Sequence, residues 1–582
     1  MTIKNTRYEP GMKQHPESEE KTFLTISTIK RASMVLFVVL FMVFLFLSGA
    51  IYAKSVPEPK PKFLIIHLDA LSSPNFFQYM EEGYLPNLKA IFQDGTGHII
   101  PYGLSLFPGG TETTIPHLRE GMDNTTGGVG WGYYDREKDR VRSEIVTFSD
   151  LFSHIPRRAK ASFFYGIPYL DSFNVYPLMN IPELLENYDV IQYFWFATDA
   201  LGHYFGEEAY IASYRRFDKY IGKLLKNIDL DKINLIIYSD HGMSFGRFIN
   251  APQEEEIKRI IGESLKIHIH PNVYLKNPEE KEFWAQKIVQ ETEIDFAFFQ
   301  EKENRVIGYS AFGKIVLEGN KNNQIRYLYE GKDFFSYYAQ GYQGEWLNAS
   351  EWLSFTKRSD YPGVPPNIYN LLMNEKAGDI VIVINPPKIP IFNLRYPANH
   401  AGLTKTDLLV PILLRGRELE HLYGVEAIWL HELFNEIPAL DLAGADPARE
   451  KHSLSFWGNL KEEQLPGFEL SLSPAYRWNV VFHYEPDLYK GWAEYDIYSS
   501  YVVRLWAGAG LQYQYPESDW GSFLNARLQM DFGKIRFNYG GQVNLNNWRE
   551  WQENRKEISY RINNRLSFNW QIPNRLGFML RW

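Results

Sequence analysis

Cysteine is absent from all 582 residues. That excludes disulfide staples and thiolate metal sites, so any metal must be held by nitrogen and oxygen donors. A basic excess is lacking too: 61 Lys and Arg against 70 Asp and Glu leave a net charge of -9. This argues against a nucleic-acid duplex as partner, because phosphate-backbone binding wants a basic face. Long apolar runs are scarce. The conspicuous one is MVLFVVLFMVFLFL, residues 34–47, with Lys30 and Arg31 before it and the small residues Ser48, Gly49, Ala50 and Ala53 after it. A positive flank, an apolar core and a small-residue exit predict a signal peptide cleaved after Ala50 or Ala53. Extended to Tyr52, the stretch approaches the roughly 20 residues of a signal anchor. Either way residues 1–56 read as a leader and the rest of the chain as exported, with Pro57, Pro59 and Pro61 as a spacer.

What is present is ordinary for a folded protein in its 45% hydrophobic and 23% charged content, and the length allows more than one domain. Aromatic content, at 16%, is high and concentrated in the last quarter. From residue 62 to about 245, apolar strand-like runs alternate with helical patterns: FLIIHLDA, then a helix around PNLKAIFQ, then the strands KASFFYGI and DVIQYFWF. The helix EAYIASYRRFDKYIGKLLKNI and the strand NLIIYSDHG come next. Such alternation predicts a mixed, mostly parallel sheet between helices, an α/β domain over 57–465. Residues 246–395 read as an inserted lobe. Its helices are EEEIKRIIGESLK and EEKEFWAQKIVQE, its strands DFAFFQ, KIVLEG, QIRYLYEG and DIVIVIN, and the chain then returns to the sheet through LLVPILLRG.

Several of these strands end in acids and imidazoles. FLIIHLD ends at Asp69, YFWFATDALGH carries Asp199 and His203, LIIYSDHG carries Asp240 and His241, and RYPANHAGL carries His400. In parallel α/β sheets the carboxyl ends of strands are where ligands bind. Three Asp and three His meeting there make two clustered N/O sites suited to a pair of divalent metals. Taken singly, each has a bland explanation: Asp69 as a helix cap, Asp240-His241 as a tight turn, His203 as a helix-start histidine. A covalent mechanism also needs a hydroxyl, and FPGGTETTIPHLREGM, residues 107–122, offers Thr111, Thr113 and Thr114. His67, His117 and His154 read as structural or loop histidines.

The order Asp, F-P-x-x-T, D-x-x-x-H, D-H-G and a late His resembles the alkaline phosphatase superfamily, in particular its branch of type I phosphodiesterases and nucleotide pyrophosphatases. The resemblance covers residues 62 to about 420. It implies an alkaline-phosphatase-like fold, two divalent metal ions, usually zinc, and Thr111 as nucleophile, fifth in Phe107-Pro108-Gly109-Gly110-Thr111 and ten residues before Gly121. Asp69, Asp240 and His241 would hold one metal close to Thr111; Asp199, His203 and His400 would hold the other. Attack by Thr111 on phosphorus would lead to hydrolysis of a phosphothreonine, on a small phosphate-ester substrate. Where nucleotide pyrophosphatases of the branch carry an Asn three residues after the nucleophile, this chain has Thr114. That hydroxyl can still donate to a phosphate oxygen, but the departure weakens an expectation of nucleotide preference. No C/S-x-P-x-R motif comes after Phe107, against a sulfatase, and Arg119 is out of place for a monoesterase. Diester or pyrophosphate cleavage is the expectation. A phosphomonoesterase or phospho-group transferase is the alternative within the class, and a non-catalytic envelope protein with a degenerate hydrolase fold the alternative outside it.

From about 466 the period becomes two. Trp478, Val480, Phe482 and Tyr484 alternate with Asn479, Val481 and His483; Leu528, Met530 and Phe532 alternate with Gln529 and Asp531, ahead of Ile535, Phe537 and Tyr539. Ile558, Tyr560 and Ile562 lead to Leu566, Phe568 and Trp570, then Leu576, Phe578, Leu580 and Trp582. This predicts an antiparallel all-β domain over 466–582 with about six clear strands. The pattern suits either an outer-membrane barrel of a bacterial envelope or a soluble sheet. Six strands fall short of the eight that single-chain membrane barrels need. Membrane association is expected through residues 34–52, the β domain, or both.

Overall fold

The computed structural model describes residues 61–92, 95–142, 162–165, 178–179, 181–185, 189–390 and 396–440, and from 453 to 581 the β-strands with short adjoining stretches. The leader, its apolar run and His154 lie outside the described residues. Among the described residues no helix is long and apolar enough to cross a membrane, which says nothing of strands.

The first sheet has seven strands: β1 (Lys62–Leu68), β2 (Gly97–Leu104), β3 (Ser162–Tyr165), β4 (Val190–Trp195), β5 (Ile233–Tyr238), β6 (Leu409–Arg415) and β7 (Ala427–Trp429). Their order across the sheet is β7-β2-β6-β5-β1-β4-β3. Only β6 runs against the rest, pairing antiparallel with both β2 and β5, while β1–β4, β1–β5, β3–β4 and β2–β7 are parallel. The mixed, mostly parallel sheet expected from the alternation is therefore present.

The strands are apolar throughout because both faces are covered. Leu64, Ile66 and Leu68 pack with Tyr210, Tyr214, Phe217 and Ile221, whereas Phe63 and Ile65 pack with Leu419, Leu430, Phe434 and Leu440. The helices that matter for the site are α1 (Ser73–Glu81), α2 (Pro86–Phe92), α3 (Thr111–Glu120), α4 (Ala197–Phe205) and α5 (Glu207–Leu225). α1 starts where Ser72 accepts a hydrogen bond from the Asn75 amide at 3.2 Å. α3 stops at Gly121, whose φ of 64° is a left-handed cap that glycine adopts without strain.

The inserted lobe is a second seven-stranded sheet, antiparallel throughout, between Leu265–Ile269 at one edge and Ile325–Gly331 at the other. One expected helix is shorter than its sequence suggests. The helix expected over EEEIKRIIGESLK ends at Ile261, because Gly262 turns left-handed (φ 58°), and Leu265–Ile269 is a strand.

The C-terminal region is a closed barrel of ten strands. Its first strand, Ser453–Asn459, lies ahead of residue 466 and closes the barrel by pairing antiparallel with the last, Arg575–Arg581. The alternation sorts side chains by face. Phe456, Phe482, Leu511, Leu524, Ile535, Tyr560, Trp570 and Phe578 are exposed on the outside, while Glu469, Glu494, Asn525, Gln529, Asn538, Gln542, Glu557 and Asn569 are buried inside. Interior bonds join strands that are not neighbours. Arg575 Nη2 reaches Glu485 Oε2 at 2.9 Å, from the tenth strand to the third, and Lys490 Nζ reaches Gln542 Oε1 at 3.0 Å, from the fourth to the seventh. Glu494, wholly buried, accepts from Asn479 (2.9 Å), Trp492 (3.1 Å), Asn525 (3.2 Å) and Arg527. A polar filling bonded this way satisfies much of its own hydrogen bonding, Glu494 foremost, as a barrel interior of this size requires.

Candidate metal centre

The parallel strands deliver their carboxyl ends to one edge of the first sheet. Asp69 comes directly after β1, Asp240 and His241 come after β5, and α4 after β4 places Asp199 in its first turn and His203 one turn later on the same helix face. His400 lies just past the short strand Ala398–Asn399, which pairs with Ser244–Phe245 a few residues beyond His241. Thr111 opens α3 after an extended Gly110. All six acids and imidazoles, and the threonine, are thereby brought to one place.

Contacts define two adjoining groups. Donor atoms of Asp199, His241 and His400 lie within 4.8 Å of one another, as do those of His67, Asp69 and Asp240. His203 Nε2 is 3.2 Å from Asp199 Oδ1, and His400 Nε2 is 3.7 Å from the same oxygen. His241 sits between the groups, its Nε2 3.5 Å from both Asp69 Oδ1 and Asp240 Oδ2. Thr111 Oγ1 is 3.4 Å from that same Nε2. Thr114 Oγ1 lies 3.5 Å from the Asp240 carbonyl. His117, as read from the sequence, is structural: its Nδ1 contacts the Thr113 carbonyl within α3 at 2.5 Å.

The imidazoles are oriented by backbone. His241 Nδ1 lies 2.8 Å from Gly242 O, His203 Nδ1 3.0 Å from Ala398 O, and His400 Nδ1 2.6 Å from Gly109 O. A carbonyl only accepts, so each Nδ1 donates, and a neutral ring then shows a bare lone pair at Nε2. All three Nε2 atoms face carboxylate oxygens. Lone pair against carboxylate is repulsive in a buried setting, and a shared cation relieves it; anchoring of the remote ring nitrogen is how metal-binding histidines are held. The donor set, three carboxylates and three imidazoles with no thiolate, fits divalent cations.

Counted as cations, the same imidazoles act in the opposite sense and hold the carboxylates ionised. Burial raises the Asp199 carboxyl, but His203 first, then His400 and His241, bring it down to about 2. Asp240 is likewise disfavoured by burial yet held well below the usual carboxylate range by His241 and His67. Burial, reinforced by His241, pushes His400 down to about 3, so it is neutral at pH 7.

Two participants escape a reading of the sequence. His67 lies in β1 against Asp240. Asp407 precedes β6, and because β6 runs backwards its start falls at the same edge. Asp407 accepts from Ser244 Oγ at 2.5 Å and from the Gly402 amide at 2.9 Å, and its own carbonyl accepts from Gly242 at 2.8 Å. One residue thus ties the His241 loop to the His400 loop. Gly242 is needed there, since a Cβ would meet Thr406 O at 1.8 Å. The rule that finds the other acids, a charge just after an apolar strand, passes over Asp407, which comes before one.

Burial raises the Asp407 carboxyl to about 6, above the usual 3.8. A raised folded value means its contribution to stability is complete below about pH 4 and is lost as pH rises through about 6. The stability of the wild type relative to Asp407→Asn should therefore fall by about 2–3 kcal/mol between pH 4 and 7. Urea unfolding of both proteins at each pH, in chelator to remove cation linkage, measures this.

An α/β sheet that gathers carboxylates, imidazoles and a helix-start hydroxyl at its carboxyl edge makes a candidate centre for metal-assisted hydrolysis. Residues 105–296 match the family model of type I phosphodiesterase / nucleotide pyrophosphatase, so this stretch of the domain is phosphodiesterase/nucleotide pyrophosphatase-like. The matched stretch holds Thr111, Asp199, His203, Asp240 and His241; Asp69 and His400 flank it. No curated protein matches the chain. Among solved structures, murine ectonucleotide pyrophosphatase / phosphodiesterase 5 aligns at 14% identity over 66% of this chain and 96% of its own, with a TM-score of 0.44. An inactive variant of it in complex with AMP, and the human protein, each align at 15% identity, 66% and 96% coverage and a TM-score of 0.43.

Proposed function

We propose that this chain is an exported, membrane-anchored phosphohydrolase that cleaves phosphodiester or pyrophosphate bonds through a phosphothreonine intermediate. The observation that carries it is the set of three Nδ1-anchored imidazoles whose Nε2 atoms confront buried carboxylates beside one threonine hydroxyl. Asp69, Asp240 and His241 would hold one cation, and Asp199, His203 and His400 the other. Two divalent cations, zinc by the family's habit, would place positive charge on the phosphate oxygens and acidify the nucleophile.

The chain's own residues do the rest. Thr111 stands at the N-terminus of a ten-residue helix, where unpaired amides and the helix dipole favour an anion. Its Oγ1 bonds to phosphorus as the first alcohol leaves with a proton; a water molecule then displaces Thr111, restores its hydroxyl and releases the second product. Gly109, through His400 Nδ1, couples the nucleophile loop to the far side of the site.

The barrel supports the anchoring. Ten strands is an even number above the minimum, several are 10–14 residues long, the outer face is apolar and the interior polar, which are the features of a membrane barrel. With its lumen crossed by side-chain bonds, such a barrel anchors rather than conducts. The leader would direct export, and an outer membrane is the location this reading gives.

The test is hydrolysis of bis-p-nitrophenyl phosphate against p-nitrophenyl phosphate by the full chain in detergent. Turnover of the diester should exceed that of the monoester, fall at least about 100-fold on dialysis against a strong chelator, and return with zinc or manganese. Protein that binds no cation and is inert on both esters sinks the reading.

A further inference from the structure

His67 lies two residues before Asp69 in β1, on the same side of the strand, and is wholly buried. Its register partners in the neighbouring strands are Phe194 and Tyr238. The imidazole is stacked between those two rings, 4.2 Å from Phe194 at 17° and 4.9 Å from Tyr238 at 15°. The sandwich fixes its plane, and its Nε2 lies 2.9 Å from Asp240 Oδ1. That oxygen also accepts the His241 amide at 3.1 Å and lies 3.5 Å from the Ala70 amide. The other oxygen, Oδ2, looks the opposite way, toward His241 Nε2 at 3.5 Å. The Asp240 carboxylate is therefore divided between an oxygen held by protein nitrogens and an oxygen turned into the centre.

We propose that His67 is a positioning residue: it holds Oδ1 of Asp240 so that Oδ2 alone is aimed at a divalent cation. This rests on the metal-centre reading above. The physical reason is that a carboxylate free to rotate can shift between one-oxygen and two-oxygen contact with a cation, and outer contacts of this kind set ligand direction and affinity. A ring already clamped by two aromatic faces is a rigid stop where a longer, flexible side chain would give way. The donors of His67, Asp69 and Asp240 are close enough for His67 to be a direct ligand instead, and the experiment separates the two.

Zinc and cobalt(II) affinities of the full chain would be measured by competition with a chromophoric chelator, alongside thermal melts and the visible spectrum of the cobalt-loaded protein. His67→Phe keeps a flat ring between Phe194 and Tyr238, and should melt near wild type while one of the two cation sites weakens about 10- to 100-fold. His67→Gln places an N–H at the reach of Nε2 but on a flexible side chain, and should recover part of that affinity, between His67→Phe and wild type. At saturating cobalt the band positions should match wild type in both variants. Unchanged affinity in His67→Phe overturns the proposal, since the ring would then serve packing alone. Moved cobalt bands with a lost imidazole overturn it in favour of direct ligation. Absence of cation binding by the wild type itself defeats the metal-centre reading rather than this refinement of it.

Discussion

Thr111→Ala should lower kcat on a diester by at least about 10⁴-fold, roughly 5.5 kcal/mol of barrier, while cation content and melting temperature stay near wild type. The change removes one hydroxyl, 3.4 Å from His241 Nε2, and touches none of the carboxylate–imidazole contacts. The helix keeps its start, because the Thr113 and Thr114 amides bond to the Gly110 carbonyl at 3.0 and 2.8 Å rather than to any side chain. Thr114→Ala is the control. Its hydroxyl sits 3.5 Å from the Asp240 carbonyl, at the limit of a hydrogen bond, so its loss should cost less than about tenfold. The comparison needs activity, cation content and a melt on both variants. An active Thr111→Ala with a dead Thr114→Ala would move the nucleophile by three residues and with it the phosphate-binding assignment.

Strand direction decides how much of this centre is legible in the chain. Asp69, Asp199, His203, Asp240 and His241 can be gathered from sequence because each comes just after an apolar run, and parallel strands bring their carboxyl ends to one edge. LLVPILLRG carries no mark of direction, so nothing in it says that β6 runs backwards and brings Asp407, which precedes it, to that same edge. His67 is hidden by a different effect. Inside a strand buried on both faces, a histidine reads as a packed ring, and only register with Phe194 and Tyr238 reveals which way it faces. The lobe shows the limit of composition: EEEIKRIIGESLK is helical by its charges, but the single backbone state of Gly262 decides where the helix stops. In the barrel, strands such as Val503–Gln514, VRLWAGAGLQYQ, hold a run of small residues, Ala507 to Gly510, in which neither face stands out, and the weak contrast conceals four of the ten strands. The closing strand Ser453–Asn459 is further disguised by distance, since its partner Arg575–Arg581 lies at the other end of the domain.

The outer face of the barrel leads to the second large effect. Leu511, Leu524 and Phe578 are exposed by 56, 49 and 53% and lie within their strands rather than at turns. Lysine at all three should prevent membrane integration: on a lipid-facing wall each costs roughly 2–4 kcal/mol near the bilayer midplane and about 0–1 near its edges. On a water-facing wall the same lysines are nearly free, since surface substitutions away from special features stay within about 0.5 kcal/mol. Flotation of the expressed full chain with membranes, and its resistance to carbonate extraction, give the readout. The wild type should float and resist, and the triple variant should pellet or remain soluble. The hydrolase provides the internal check, because its centre shares no residue with the barrel wall. Detergent-solubilised triple variant that retains diester turnover would show that the loss is one of insertion and not of fold. If wild type and variant both stay in the soluble fraction, the barrel is a water-exposed module, and the polar network around Glu494 would then be the core of a soluble β domain with an unusually apolar surface.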